Sequence, residues 1–270
     1  MKILPIGCPW AHQSDRLILP RDFSWVFDRS TNVDAIVFFD DHILNEIPDH
    51  IKNIKKYAWI SESKSIIPDI SKEIKDNFDW FSDTYDIIFS HDREITDLGK
   101  NSEFILNPSA VTWIKNKQIY PKSKLVSMIS SRKMMCEGHK YRLQWVDKLK
   151  NDLDLYGRGF NEIKNKEEGL SDYMFSVAIE NDSYNTYFTE KIIDCFATGT
   201  IPVYYGSPDI GEHFNEDGII KLDEDFDMNN LSANLYYKKM NAIKENFDIV
   251  QKMQLPEDVM FNLIKERKLV

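Results

Sequence analysis

Residues 175–206 read FSVAIENDSYNTYFTEKIIDCFATGTIPVYYG, and this stretch decides the fold. It opens with an apolar run that predicts a buried strand, and Glu180 and Asn181 follow at the point where that strand ends. Thr189 is a suitable helix N-cap, and Gly199 suits the left-handed residue that ends the helix. A strand, a helix and a second apolar run in this order predict a parallel β-α-β unit.

Short apolar runs alternate with longer amphipathic stretches along the rest of the chain as well. This alternation is typical of parallel strands joined by helices. The predicted strands are Lys2–Gly7, Ala35–Phe39, Tyr57–Ser61, Asp86–Ser90, Glu103–Leu106, Leu125–Ser130, Leu153–Tyr156, Phe175–Ile179, Ile201–Tyr205 and Gly218–Leu222. The fold class is therefore predicted as α/β, with two Rossmann-like doubly wound domains and a cleft between them.

The segment Pro108–Lys124 contains two prolines, several lysines and few consecutive apolar residues. Such a composition is typical of a linker, so we expect an N-terminal domain over residues 1–115 and a C-terminal domain over residues 116–270. Ligands of open α/β sheets bind at the carboxyl ends of the strands. Residues that directly follow a strand are therefore the candidates for a functional site.

The composition and charge of the 270 residues exclude some classes of protein. Hydrophobic residues make up 42% of the chain and charged residues 29%, as in a folded soluble protein. The formal net charge of −10 argues against binding to nucleic acid or to a membrane surface, because both attract basic proteins. With neither a signal peptide nor an apolar run of about 18 residues, we expect a soluble, cytoplasmic protein without a transmembrane segment.

Two cations are predicted at the carboxyl edge of the second sheet. Lys191 falls in the first turn of the helix that Thr189 begins, and a helix N-terminus itself attracts phosphate. Arg142 falls on the core-facing side of the helix that follows strand Leu125–Ser130, an unusual place for a charge without a ligand. We expect the two side chains to hold a diphosphate. Alternatively, Lys191 is a solvated helix residue and Arg142 pairs with a carboxylate of its own domain.

The motifs in this part of the chain resemble those of glycosyltransferase family 10, the α1,3-fucosyltransferases. An EN pair, a Y-x-T-E-K run and a T-(I/V)-P-V/I-x-x-G strand occur in that family in this order and at nearly this spacing. Their counterparts in this sequence are Glu180-Asn181, Tyr187-Phe188-Thr189-Glu190-Lys191 and Thr200-Ile201-Pro202-Val203-Tyr204-Tyr205-Gly206. The resemblance covers residues 125–214 well and the amino-terminal half only loosely.

The resemblance implies an inverting glycosyltransferase of the GT-B type, with an acceptor domain followed by a donor domain. The implied reaction is transfer of fucose from GDP-fucose to a hydroxyl of an oligosaccharide acceptor, with an α1,3 linkage. No cofactor is expected, and a divalent metal is not expected to be essential. The alternatives are the same fold with another GDP- or UDP-sugar donor, and a non-catalytic module that binds glycans or nucleotide sugars.

The resemblance also implies roles for individual residues. Tyr187, Glu190 and Lys191 would contact the nucleotide sugar, and Arg142 would correspond to the family's pyrophosphate-binding arginine. Glu190 is expected to accept hydrogen bonds from hydroxyls of the ribose or of the fucose. For the pair Glu180-Asn181, shaping of the site and simple satisfaction of loop backbone groups are equally good interpretations.

Inverting transfer needs a general base that takes the proton of the acceptor hydroxyl. Glu62 directly follows a predicted strand of the first domain, and its position resembles that of the glutamate proposed as base in bacterial family members. The alternative is a surface glutamate that opens a polar loop. Three further residues at strand ends, Asp40, His91 and Asp92, are candidates for binding the acceptor or for structural roles. No metal site is predicted, because the neighbouring carboxylates of Asp40 and Asp41 point in opposite directions on an extended chain.

Overall fold

The computed structural model describes residues 1–10, 13–29, 31–107 and 109–269. Each predicted strand is present in it, and Ser24–Trp25 forms a further, short strand. In the described residues the strands, named β1 to β11 in chain order, are Lys2–Ile6, Ser24–Trp25, Ala35–Phe39, Lys55–Ile60, Ile87–Ser90, Ser102–Phe104, Lys124–Ile129, Asp154–Tyr156, Tyr173–Ile179, Ile201–Tyr205 and Ile220–Lys221. The α-helices of the same residues, named α1 to α9, are Ser14–Leu17, Pro68–Asp76, Phe78–Thr84, Arg93–Thr96, Glu137–Leu149, Glu190–Ala197, Ala233–Lys238, Met240–Lys252 and Pro256–Glu266.

The chain divides into two units, and each is built on one parallel sheet. The first unit comprises Met1–Ser109 and Gln254–Val270, and its strands are ordered β2-β1-β3-β4-β5-β6. The second unit comprises Ala110–Met253, and its strands are ordered β11-β10-β9-β7-β8. The predicted α/β class with two Rossmann-like sheets is confirmed.

The central strands of both sheets are buried on both faces, as parallel sheets require. In β3, Ala35, Val37 and Phe39 belong to one hydrophobic cluster of the first unit, and Ile36 and Phe38 belong to another. Each of the seven residues of β9 is buried. Because these strands are buried on both faces, they appear in the sequence as short apolar runs, and such runs predict strands.

The C-terminal segment Gln254–Val270 belongs to the first unit, whereas the sequence predicted that residues 116–270 form the second domain. Helix α9 packs with the first unit, because Met260, Phe261 and Ile264 join the hydrophobic cluster on one face of its sheet. The fully buried Glu257 accepts a hydrogen bond from Arg16 at 2.7 Å and so adds a charged contact within the same unit. The sequence shows an amphipathic helix here but does not show which sheet covers its apolar side. The structure divides the units between 109 and 110, and Pro108 of the predicted linker lies outside the described residues.

The β9-α6-β10 unit has the predicted local geometry. Thr189 is the N-cap of α6, and its side chain accepts a hydrogen bond from the backbone N–H of Lys191. Gly199 follows the helix with a φ of 70°, in the left-handed region. Gly138 is the second residue of α5. Among the described helices, none is both long and apolar enough to cross a membrane.

Candidate functional site

A cavity of about 380 Å³ lies in the second unit at the carboxyl ends of β7, β8 and β9. The strands contribute wall residues around Ser130, Gly157 and Ile179, and helices α5 and α6 contribute side chains. Arg142, Glu190 and Lys191, which were predicted to bind a common ligand, all line this cavity. The carboxyl edge of a parallel sheet is where ligands of open α/β folds bind.

Arg142 is a buried cation with incomplete hydrogen bonding. Its side chain comes from α5, is 6% exposed, and donates from Nη1 to Oδ1 of Asn181 at 3.4 Å. Its Nε has no hydrogen-bond partner among the residues that the structure describes, and it forms no ion pair with any of them. Burial lowers the pKa of Arg142, and the nearby carboxylates oppose this shift. The guanidinium is therefore available to an anion, and the alternative of a carboxylate partner in its own domain is not what the structure shows.

Lys191 lies at the start of α6, where Glu180 organises the backbone. The fully buried Glu180 accepts hydrogen bonds from the backbone N–H of Thr189 at 2.9 Å and from its hydroxyl at 2.7 Å. The Lys191 ammonium donates to Glu180 at 3.1 Å and to the Thr189 hydroxyl at 2.9 Å. Glu180 thus fixes the first turn of α6 and orients Lys191, and it also satisfies a backbone N–H of the loop.

Glu190 lies between two cations, and sequence reasoning missed one of them. Its side chain is 14% exposed, and its carboxylate lies 3.3 Å from Nζ of Lys166 and 3.9 Å from Nζ of Lys191. Burial raises the pKa of Glu190, but the two positive charges outweigh burial and lower this pKa to about 2. Lys166 also pairs with the buried Asp194, at 2.7 Å. The only sequence signal near Lys166 is the capping box of Asn165 and Glu168, which predicts a helical turn and not a site.

The cavity wall is positively charged although the whole chain is acidic. In the described wall, five cationic side chains face two carboxylates, Glu190 and Asp194. The cations are Lys133, Arg142, Arg158, Lys166 and Lys191. A local excess of positive charge in a protein of net charge −10 is the arrangement that an anionic ligand requires.

Two further predicted residues, Asn181 and Tyr187, are not among the described residues that line the cavity. Asn181 follows β9 and accepts the hydrogen bond from Arg142, so it positions the guanidinium. Tyr187 is 1% exposed, and its ring stacks on that of Tyr184 with 5.0 Å between centroids. The Tyr187 side chain is thus packed into the loop that precedes α6 and supports this loop from within.

The candidates of the first unit differ in accessibility. Asp40 is buried and accepts hydrogen bonds from the backbone N–H and hydroxyl of Ser61, at 2.7 and 2.5 Å, and from the backbone N–H of Glu62 at 2.9 Å. Burial raises the pKa of Asp40, and these hydrogen bonds oppose the shift. Asp40 therefore holds the end of β4 in place. Glu62 itself is half-buried, which leaves part of its side chain accessible.

His91 and Asp92 have the surroundings of structural groups. His91 is 1% exposed, and burial lowers its pKa to about 4. Asp92 is buried, caps α4 by accepting from the backbone N–H of Glu94 at 3.1 Å, and pairs with Lys64 at 3.0 Å. In the described part of the chain, no group of three or more His, Cys, Asp or Glu side chains is arranged to hold a metal ion.

Comparison with solved structures shows the same fold. A structure described as "Crystal Structure of alpha1,3-Fucosyltransferase" has a TM-score of 0.55, with 17% sequence identity over 95% of this chain and 81% of that one. A second, described as "Crystal Structure of alpha1,3-Fucosyltransferase with GDP", has a TM-score of 0.54 and 16% identity over 95% and 82% of the two chains.

Comparison with known sequences finds similarity to proteins named as fucosyltransferases. The "Alpha-(1,3)-fucosyltransferase FucT" of Helicobacter pylori is 44% identical over 64 residues, which is 24% of this chain and 13% of that protein. A "Putative fucosyltransferase-like protein" of Arabidopsis thaliana is 28% identical over 130 residues, 46% of this chain and 25% of that protein. The sequence model "Glycosyltransferase family 10 (fucosyltransferase) C-term" matches residues 119–249, which include Arg142, Glu190 and Lys191. Over these residues the chain matches glycosyltransferase family 10, the family that its motifs predicted.

Proposed function

We propose that the protein is an inverting fucosyltransferase that transfers fucose from GDP-fucose to a hydroxyl group of a glycan acceptor. The observation that carries the proposal is that Arg142 and Lys191 line one cavity, within the part of the chain that matches the family model. The names of the relatives support a fucose donor and an α1,3 linkage. The chain spans about an eighth of the length of one curated relative and a quarter of the other.

The donor half of the reaction needs a site that stabilises a nucleoside diphosphate as leaving group. The Nε of Arg142, which has no partner in the described part of the chain, offers a hydrogen bond to a phosphate oxygen, and the ammonium of Lys191 adds a second positive charge. The N-terminus of α6 contributes backbone N–H groups and a partial positive charge. Together they oppose the negative charge that builds up on the β-phosphate as the bond to fucose breaks.

The acceptor half needs a base, and we assign Glu62 to this role. The Glu62 carboxylate takes the proton of the acceptor hydroxyl while the hydroxyl oxygen forms a bond to the anomeric carbon of fucose. At the same time the bond between this carbon and the β-phosphate oxygen breaks, GDP leaves, and the configuration at the anomeric carbon inverts. The accessible part of the Glu62 side chain supports this assignment over the buried Asp40, His91 and Asp92.

A panel of nucleotide sugars tests the donor assignment. We expect GDP-fucose and GDP to raise the melting temperature while UDP-sugars leave it unchanged. A ligand at 100 times its dissociation constant stabilises the folded protein by about 2.7 kcal/mol. If only a UDP-sugar or another GDP-sugar raises the melting temperature, that nucleotide sugar is the donor and GDP-fucose is not.

Mass spectrometry of the products tests the reaction itself. The protein is incubated with GDP-fucose and a small oligosaccharide library, and the products are analysed for added fucose and for the linkage. We expect one or a few acceptors to gain a single α1,3-linked fucose. If GDP-fucose binds but no acceptor is modified, the protein is a nucleotide-sugar-binding module and not an enzyme.

A further inference from the structure

Lys166 is a cation of the cavity wall to which the proposed reaction assigns no role. It lies in the 3₁₀ helix Lys166–Gly169, and its ammonium bridges the carboxylates of Glu190 and Asp194, at 3.3 and 2.7 Å. It also lies 4.4 Å from the centre of the Trp113 ring. The side chain is 19% exposed, so these contacts surround most of it.

We propose that Lys166 is a positioning residue that holds the Glu190 carboxylate ionised and oriented toward the hydroxyl groups of the bound nucleotide sugar. This inference rests on the proposed function and deepens it. Glu190 is the wall carboxylate best suited to recognise hydroxyls, because a carboxylate only accepts hydrogen bonds and hydroxyls donate them. Its usefulness depends on its remaining charged inside the cavity.

Asp194 anchors Lys166 from the far side. Asp194 is one helical turn after Glu190 on α6 and is 1% exposed. One of its oxygens pairs with Lys166, and the other accepts from the backbone N–H of Trp113 at 2.7 Å and from the hydroxyl of Thr112 at 2.9 Å. These contacts tie α6, the 3₁₀ helix and the segment around Trp113 into one network. The ammonium of Lys166 is therefore held in place before a ligand arrives.

Charge balance explains why such a cation is needed. Glu190 and Asp194 are two carboxylates one turn apart in a buried place, where burial and mutual repulsion both favour protonation. The groups around Glu190 are Lys191 and Asp194 on its own helix, Lys166 on the 3₁₀ helix, and Arg142 on α5. Lys166 is the only one of these that pairs closely with both carboxylates in the described residues.

The contacts of Lys166 also separate its role from that of a phosphate ligand. Its ammonium is already engaged by two carboxylates and an aromatic face, whereas the N–H of Arg142 Nε has no partner among the residues described. A cation held between two close carboxylates attracts a phosphate more weakly than the guanidinium of Arg142 does. Lys166 is thus expected to influence ligand affinity through Glu190 and not by direct contact.

The first experiment measures the ionisation of Glu190 without any ligand. Carbon-13 NMR of the labelled side-chain carboxylates follows Glu190 between pH 4 and 7, with its signal assigned by its loss in Glu190→Gln. In the wild type the carboxylate is expected to stay ionised over this range, because its pKa lies near 2. In Lys166→Met we expect the titration midpoint to rise into this range, by at least about two pH units, since burial is then offset by Lys191 alone.

Two variants control this measurement. Lys166→Arg keeps the charge and should restore the wild-type behaviour. Lys148→Met removes a lysine of the same unit that lies over Trp145 at 4.2 Å, and it should leave the Glu190 signal unchanged. An unchanged Glu190 titration in Lys166→Met would overturn the proposal, whether or not the protein binds a nucleotide sugar.

The second experiment is a double-mutant cycle on the affinity for GDP-fucose, measured by calorimetry at pH 7. We expect Lys166→Met to weaken binding about tenfold, the loss typical of one hydrogen bond to a charged group. In the Glu190→Gln background the same substitution should change affinity less than twofold, because its effect passes through Glu190. An equal loss in both backgrounds would mean that Lys166 contacts the ligand directly and would overturn the positioning role. If the wild type does not bind GDP-fucose, the proposed function fails while the NMR measurement still tests the Lys166–Glu190 coupling.

Discussion

At the scale of single residues, Arg142 and Lys191 both line the cavity, but their positive charges are balanced differently. Arg142 is buried and lacks a partner for its Nε in the part of the chain that the structure describes. A buried charge without a counter-ion destabilises the ligand-free protein. Lys191, in contrast, is balanced by Glu180 and is tied to the start of α6. The ligand-free protein is therefore expected to depend on Lys191 and Arg142 in different ways.

Replacement of Arg142 by methionine separates binding from folding. We expect Arg142→Met to weaken GDP binding by about ten- to a hundredfold, the loss typical of hydrogen bonds to a charged group. The melting temperature without ligand should stay the same or rise, because an uncompensated buried charge is removed. Calorimetric titration with GDP and thermal unfolding measure the two effects. A large drop in melting temperature would instead indicate a structural role for the guanidinium.

Replacement of Glu62 by glutamine tests the general base. Glu62→Gln should bind GDP-fucose as the wild type does and lose about 10²- to 10⁴-fold in turnover, the range for removal of a general base. Steady-state kinetics with the acceptor found by mass spectrometry provide the measurement. The exposed Glu46 of the same unit offers a matched control, since Glu46→Gln should retain activity. Wild-type turnover of Glu62→Gln would remove Glu62 from the role of base.

At the scale of elements, the start of α6 and the start of α5 are both positioned by the loop after β9. Glu180 fixes the first turn of α6 through Thr189. Gly138 of α5 lies so close to this loop that an added Cβ would come within 1.9 Å of the backbone oxygen of Asn181. The close approach of the two backbones places Arg142 near Lys191, and it requires glycine at this position.

Alanine at position 138 should disturb both stability and binding. We expect Gly138→Ala to lower the free energy of unfolding by about 1–3 kcal/mol, as overpacking against backbone usually does. It should also weaken GDP binding, because Arg142 is on the helix that must shift. Chemical denaturation and calorimetry provide the values. In Gly211→Ala the new Cβ would meet mainly the flexible side chain of Glu216, so a smaller loss is expected there. Equal losses at both glycines would contradict this account of the α5–β9 contact.

At the scale of the whole molecule, the chain forms one sheet, then a second, and finally returns to the first unit with α9. This helix joins the cluster of aromatic residues on one face of the first sheet through Met260, Phe261 and Ile264. The last segment of the chain is thus part of the first unit's hydrophobic core. Stability of the first unit is therefore expected to depend on residues at both ends of the sequence.

Truncation of a side chain in α9 tests this connection. Phe261→Ala should lower the free energy of unfolding by about 3–5 kcal/mol, the usual cost of a large cavity in a core. Chemical denaturation followed by tryptophan fluorescence reports on the first unit, whose core holds Trp10 and Trp59 next to this face. As a control, Ile249→Ala in α8 removes a side chain that is already 37% exposed and should cost much less. A loss no greater for Phe261 than for Ile249 would contradict the packing of α9 in the core.

The sequence alone determined the elements and part of the cavity. Strand positions followed from apolar runs, because a strand buried on both faces excludes polar residues along its length. The start of α6 followed from Thr189, and its end from Gly199, because caps are satisfied by local chemistry. Because Thr189 begins α6, Glu190 and Lys191 were predicted in its first turn, at the carboxyl edge of the sheet.

Only the tertiary structure decided the contacts between distant segments. Three of these contacts join residues far apart in the chain. Lys166 pairs with the buried Asp194, Asp40 accepts hydrogen bonds at the end of β4, and α9 packs with the first unit. Local patterns record whether a residue is buried but not which residue covers it. The same limit applies to Arg142, since its lack of an ionic partner within the described ranges depends on every element that surrounds it. Partners of buried charges are set by packing, and packing exists only in the folded chain.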